Sequence, residues 1–181
     1  EAARRSEPLF LVCTNGRRDQ CCAKYGVGMF NEMRKRAGDA VWQSSHLAGH
    51  RFAATMAVFP HGLYYGQLSP SEAQTVIEIT QHGGVYYEKL RGRVCYSHDA
   101  QVADYYLREA TDTRALTAFK LLTINSEGDV WTARFEALED GLVHVVQFEQ
   151  SESSWETFTS CNDAMPKRDI VYRLIRYEVV E

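Results

Sequence analysis

The chain has 181 residues, 45% of them hydrophobic and 12% aromatic, enough for the core of one domain or of one domain with a smaller appendage. A formal net charge of −4 argues against a general nucleic-acid binder, and no run of about eighteen apolar residues offers a membrane span. No signal-peptide pattern is legible, and the start at Glu1 rather than at a methionine is what a trimmed piece would show.

The apolar run PLFLVC (8–13) ends in a polar, Gly-containing loop and reads as a buried strand. In GMFNEMRKRAG, Met29, Phe30, Met33 and Ala37 share one helical face, with Gly38 as the stop. AVWQSS is a second strand, and AATMAVFP and LYYGQL flank the turn His61–Gly62 as a hairpin. A well-marked helix follows. Ser69 caps it, Pro70 suits its first turn and Glu72 completes a capping box. Ala73, Val76, Ile77 and Thr80 form its core stripe, and Gly83–Gly84 end it. The order β-α-β-β-β-α predicts an α/β layer arrangement. Residues 85–97 connect to a helix over 98–110 whose inward face is Val102, Ala103, Tyr106, Leu107 and Ala110. From 115 onward AFKLLTI, DVWTARFEAL, LVHVVQFE and IVYRLIRYEVV read as strands, and NSEGD and EDG as hairpin turns. EQSESS (149–154) reads as a surface loop. The expectation is an α/β domain over 8–112 with a β-rich extension over 113–181 packed on it.

Two stretches carry the chemistry. LVCTNGRRDQCC crowds Cys13, Cys21 and Cys22 together, and SSHLAGHRF sets His46 and His50 four apart. Five cysteines with three at one end do not suit a disulfide framework, and a reducing cytoplasm fits them best. A strand–loop–helix connection brings its ends together, so Cys13 and one of the adjacent pair can share a metal. Thiolates there would gain from the N–H groups of a helix N-terminus, and from Arg17 and Arg18 in the same loop. His46 and His50 face one way if their segment is helical, and Gly49 lets backbone approach a ligand closely. Each residue alone has an ordinary reading, as a buried cysteine or a surface histidine. Their concurrence predicts a site. Its kind stays open on the residues alone. The donors suit zinc, but Cys13 stands eight or nine positions from its partner, too far for a zinc knuckle. A C-x-x-C dithiol is absent, and a Rieske-like 2Fe–2S centre mixes Cys and His in each of two loops. Cys95 and Cys161 are isolated and expected to be buried and structural. His61, His82, His98 and His144 are not expected to be ligands, and RGR (91–93) reads as an anion contact or a surface salt bridge.

Three stretches, LFLVCTNGRRDQCCAKYG, VWQSSHLAGHRFAATMAVFPHGLYYGQL and LRGRVCYSHDAQVADYYLRE, resemble the sucrase/ferredoxin-like family of thioredoxin-like ferredoxins over about residues 8–110. Members carry a C-T-x-G-x-R-D-x-x-C loop and an H-x-x-G-H-R-F-like stretch. The resemblance implies a thioredoxin-like fold and one 2Fe–2S cluster held by Cys13, Cys22, His46 and His50, with Cys21 a bystander or weak alternative ligand. Asn15 stands where many members have a histidine. The implied role is one-electron transfer with an unidentified redox partner protein, reductase or acceptor, rather than an enzyme acting on its own substrate. Titration of the ligating rings would make the potential fall as pH rises. Arg17, Arg18, Arg51 and Leu47 would flank the ligands as a docking surface, and Tyr64 or Tyr65 would either bond a cluster sulfur or fill the core. No pair of carboxylates stands out for glycoside hydrolysis. The alternatives are a zinc-stabilised binding module using the same four residues and a thiol-dependent reductase acting through Cys21 or Cys22.

Overall fold

The computed structural model describes residues 7–180. Its first sheet is built around β1 (Leu9–Cys13), where Phe10 and Val12 point into the core. The chain then forms α1 (Gln20–Ala37), β2 (Val41–Ser44), β3 (Met56–Phe59), β4 (Leu63–Tyr65), α2 (Ala73–Gln81) and β5 (Leu90–Arg93). The strand order is β2-β1-β3-β4-β5, with β1 and β2 parallel and the other pairs antiparallel. A βαβ unit followed by ββα across this order is a thioredoxin-like arrangement, α/β in class. Met29 and Met33 of α1 and Ala73, Val76 and Ile77 of α2 bury against Phe10, Val12, Val41 and Met56. Parallel pairing sets Cys13 directly opposite Ser44. The loops that follow β1 and β2 therefore leave the same edge of the sheet side by side.

The helix α3 (His98–Thr111) packs Ala103 and Leu107 on a second, antiparallel sheet. That sheet is the meander β6 (Phe119–Glu127), β7 (Val130–Ala137), β8 (Val143–Thr157) and β9 (Lys167–Val180). Phe119, Phe135, Val146 and Phe148 complete its core with α3. Among the described residues no helix is long and apolar enough to cross a membrane.

Two expectations are corrected. EQSESS is strand, not loop: β8 continues to Thr157, pairing Ser151 with Val171 and Glu156 with Arg168 of β9. Pairing with β7 ends at Glu149 of β8, opposite Val130, so beyond it β8 and β9 form a two-stranded arm. Such an arm covers no core of its own, and a polar composition is what it needs. The connector 85–97 contains β5, whose sequence LRGR lacks any apolar alternation; its pairing with β4 makes it a strand.

Glu72 shows how locally the first half is specified. Its carboxylate accepts from the Ser69 N–H and hydroxyl, each at 2.8 Å, and from the Tyr86 hydroxyl at 2.8 Å. Burial alone would raise its pKa, but these bonds and Lys89 hold it below the usual glutamate value. A carboxylate depressed in this way stabilises the fold above its unfolded pKa of about 4.3 and ceases to do so as pH falls through the lower folded value. Glu72→Gln is expected to cost about 1–2 kcal/mol at pH 7. The gap to the parent protein should close as urea unfolding is repeated at successively lower pH below that range.

Candidate functional site

Asp19 is the N-cap of α1 and accepts from the Cys21 N–H at 2.9 Å, so the helix begins where the loop from β1 ends. Asn15 shapes that loop, its side-chain oxygen accepting from the N–H groups of Arg17 and Arg18. Cys22 falls in the first turn on the inward face, and both it and Cys13 are 1% exposed. Gly26, one turn later, lets α1 lie on the end of β1: a Cβ there would meet the Cys13 carbonyl oxygen at 1.9 Å. The Cys13 N–H donates to the Thr55 carbonyl and its thiol to the Ser45 carbonyl.

The histidines come from the neighbouring loop. It is not a regular helix: Ala48 and Gly49 have φ of 64° and 61°, and a short 3-10 turn begins at His50. This reversal stacks the two rings with centroids 5.4 Å apart. Gly49 serves a closer approach than the one expected of it, because the Arg91 guanidinium occupies the place a Cβ would take. The Tyr64 hydroxyl donates to the Ala48 carbonyl at 3.0 Å and so holds the histidine loop, whereas Tyr65 lies in the core. Arg91 stacks on Phe52 and Tyr64, and Arg93 on Tyr96.

Cys13 Sγ, Cys22 Sγ and a ring nitrogen of His46 lie within 4.8 Å of one another. His50 stands just outside that group, beside His46. Both Nδ1 atoms, of His46 and of His50, are buried without a hydrogen-bond partner. The other nitrogen of His50, Nε2, is 3.8 Å from Asp19 Oδ2. The helix N-terminus does not favour a thiolate at Cys22 in this setting. Burial and the adjacent Cys13 sulfur outweigh it and push the Cys22 thiol up to about 12. Two thiols so placed take on negative charge when a cation shares them.

Cys21 and Cys161 depart from expectation. Cys161 is exposed rather than buried, and it forms a disulfide with Cys21 from 140 positions away. Cys95 is also exposed, and it carries a free thiol like Cys13 and Cys22. Nothing in the spacing signals the Cys21–Cys161 pair. Asp19 is the important residue the sequence reading passed over, although an aspartate just before a helix is an N-cap signal. It also accepts from the Ser160 hydroxyl at 2.8 Å and the Cys161 N–H at 3.0 Å. Arg51, expected on a docking rim, is paired with Asp169 of β9. Arg17 and Arg18 are exposed.

Residues 2–92 match the model of the family described as Sucrase/ferredoxin-like, a match that ends before α3. No curated protein matches the chain. Among solved structures, a thioredoxin-like [2Fe-2S] ferredoxin from Aquifex aeolicus is similar over 50% of this chain and 94% of its own, at 13% identity and a TM-score of 0.45. A cysteine-to-serine variant of that ferredoxin aligns over 48% of this chain and all of its own, at 17% identity and a TM-score of 0.43.

The contact between Gly26 and Cys13 gives a direct test of how α1 positions the site. Gly26→Ala is expected to push the helix off β1 and to lower stability by about 2–3 kcal/mol in urea unfolding. A substitution tolerated without loss would show that the close approach is not needed.

Proposed function

The chain belongs to the sucrase/ferredoxin-like family, and we propose that it is an electron carrier whose Cys13, Cys22, His46 and His50 hold one 2Fe–2S cluster. The observation that carries this reading is the pair of buried, unpartnered Nδ1 atoms of His46 and His50 next to two buried free thiols. Buried polar nitrogens almost always find a partner, and two such atoms beside two sulfurs form a metal donor set. Asp19 engages the opposite nitrogen of His50, as a carboxylate does when it orients a ligating imidazole.

The spread of the donors favours a cluster over a single ion. Four donors around one tetrahedral zinc would lie within about 4 Å of each other. Here the group within 4.8 Å takes in Cys13, Cys22 and His46 and leaves His50 outside. When bound, a 2Fe–2S centre takes up and gives back one electron, and neutral imidazoles in place of two thiolates set its potential at roughly −150 to +300 mV rather than about −400 mV. The chain divides the task between its two loops. Cys13 and Cys22 hold their end of the site away from water. The half-buried His46 and His50 present the other end toward the surface. A redox partner protein would dock at that end, with the exposed Arg17 and Arg18 at its rim. A reducing cytoplasm is the setting that keeps Cys13 and Cys22 as thiols.

Purification without oxygen tests the proposal. The protein should be reddish-brown, bleach with dithionite and contain about two irons and two sulfides per chain. His50→Ala should lose both colour and iron, while Cys21→Ser should keep them. A colourless protein holding one zinc would make this a zinc-stabilised module instead.

A further inference from the structure

Cys21 and Cys22 are consecutive on α1, so their side chains leave the helix about 100° apart. Cys22 enters the protein beside Cys13. Cys21, half-buried, turns instead toward the loop that closes the β8–β9 arm and bonds to its exposed Cys161. That loop has a shape of its own. Asp163 accepts from the Thr159 N–H, the Thr159 hydroxyl and the Ser160 N–H at 2.9, 2.7 and 2.9 Å. The preformed loop is seated on the cysteine loop by Asp19, which takes the Ser160 hydroxyl and Cys161 N–H, and by Asn162, which donates to the Arg18 carbonyl. The disulfide is the covalent part of this seat. It sits at a solvent-reached rim, next to the carboxylate that faces His50.

We propose that Cys21–Cys161 is a reversible disulfide that exchanges with low-molecular-weight thiols and disulfides and latches the 158–166 loop over the Cys13, Cys22, His46 and His50 site. Exposed disulfides are the labile ones, and in a reducing compartment such pairs open and close with the thiol balance. Closing consumes one small disulfide, RSSR. The Cys161 sulfur attacks it, forming a mixed disulfide and releasing one RSH. The Cys21 sulfur then displaces the second RS group, which leaves as RSH. Two protein S–H bonds and one RSSR bond are broken; one protein disulfide and two RSH are formed. Opening by two thiols is the reverse. With the disulfide open, the contacts that remain to hold the loop among the described residues are its hydrogen bonds to Asp19 and Arg18 and the Arg51–Asp169 pair behind it. The latch follows from where the two cysteines lie, whatever the four-residue site holds.

The test equilibrates the whole protein in mixtures of glutathione and glutathione disulfide, quenches by alkylation and locates each cysteine by mass spectrometry. Cys21 and Cys161 should be protected from alkylation together, in a single step that removes about two mass units. Cys95 should stay unpaired or carry glutathione. On reduction, amide hydrogen exchange across 158–166 should speed by about tenfold. Cys161→Ser should exchange at that faster rate under both conditions. Separate modification of Cys21 and Cys161 would overturn the disulfide. Equal exchange of the loop in the oxidised and reduced protein would overturn the latch.

Discussion

Asp19 is a carboxylate 1% exposed to solvent, and three segments of the chain converge on it. It starts α1 by capping at the Cys21 N–H, it takes the Ser160 hydroxyl and the Cys161 N–H from the arm, and it faces Nε2 of His50. Burial alone would drive its proton on. The hydrogen bonds from Ser160, Cys21 and Cys161, with His50 nearby, outweigh that and hold its pKa below the ordinary aspartate value. The start of the helix decides that Cys22 points inward and Cys21 outward. The same carboxylate also lies 3.8 Å from Nε2 of His50. An anion at a helix N-terminus is well placed electrostatically, so one side chain caps the helix and seats the arm while lying beside the histidine.

The frame beneath Asp19 explains why cysteines and histidines come from separate loops. In an open sheet, ligands gather outside the carboxyl ends of parallel strands. Here β1 and β2 are the parallel pair, with Cys13 opposite Ser44. The first loop supplies the sulfurs and the second supplies the imidazoles, one from each strand end. Tyr64 pins the second loop from β4, and Arg91 reaches it from β5. The β8–β9 arm then arrives from the other sheet and anchors at two points, Asp169 on Arg51 and the 159–163 turn on Asp19. The second sheet thus supplies one wall of the site as well as a core for α3.

Features set by local sequence were legible before any coordinates. The stripe Ala73, Val76, Ile77 and Thr80 is the buried face of α2, and the capping box at Ser69 and Glu72 is formed. The hairpin at His61–Gly62 and the four strands of the meander are also where periodicity places them. What failed depends on distant partners. LRGR becomes strand only because β4 offers an edge, and EQSESS only because β9 runs beside it. His46 and His50 stack side by side through a loop reversal at Ala48 and Gly49, which no i, i+4 spacing signals. The role of Arg91 behind Gly49, and the bond from Cys21 to Cys161, join residues too far apart for spacing to record.

The adjacent cysteines show how a single turn of helix can separate two kinds of sulfur chemistry. Reactivity of a thiol toward disulfides needs both access and ionisation. Cys13 and Cys22 lack access, enclosed between β1, α1 and the histidine loop. Cys21 and Cys161 have it, at the rim where the arm meets the helix. Had α1 begun one residue later, Cys22 would take the place of Cys21 toward the arm, and Ala23 would take the place beside Cys13. The cap at Asp19 prevents that shift, because its bond to the Cys21 N–H fixes the first residue of the helix. Register at one helix start therefore keeps a buried pair of free thiols apart from a disulfide at the rim, though two of their sulfurs belong to neighbouring residues.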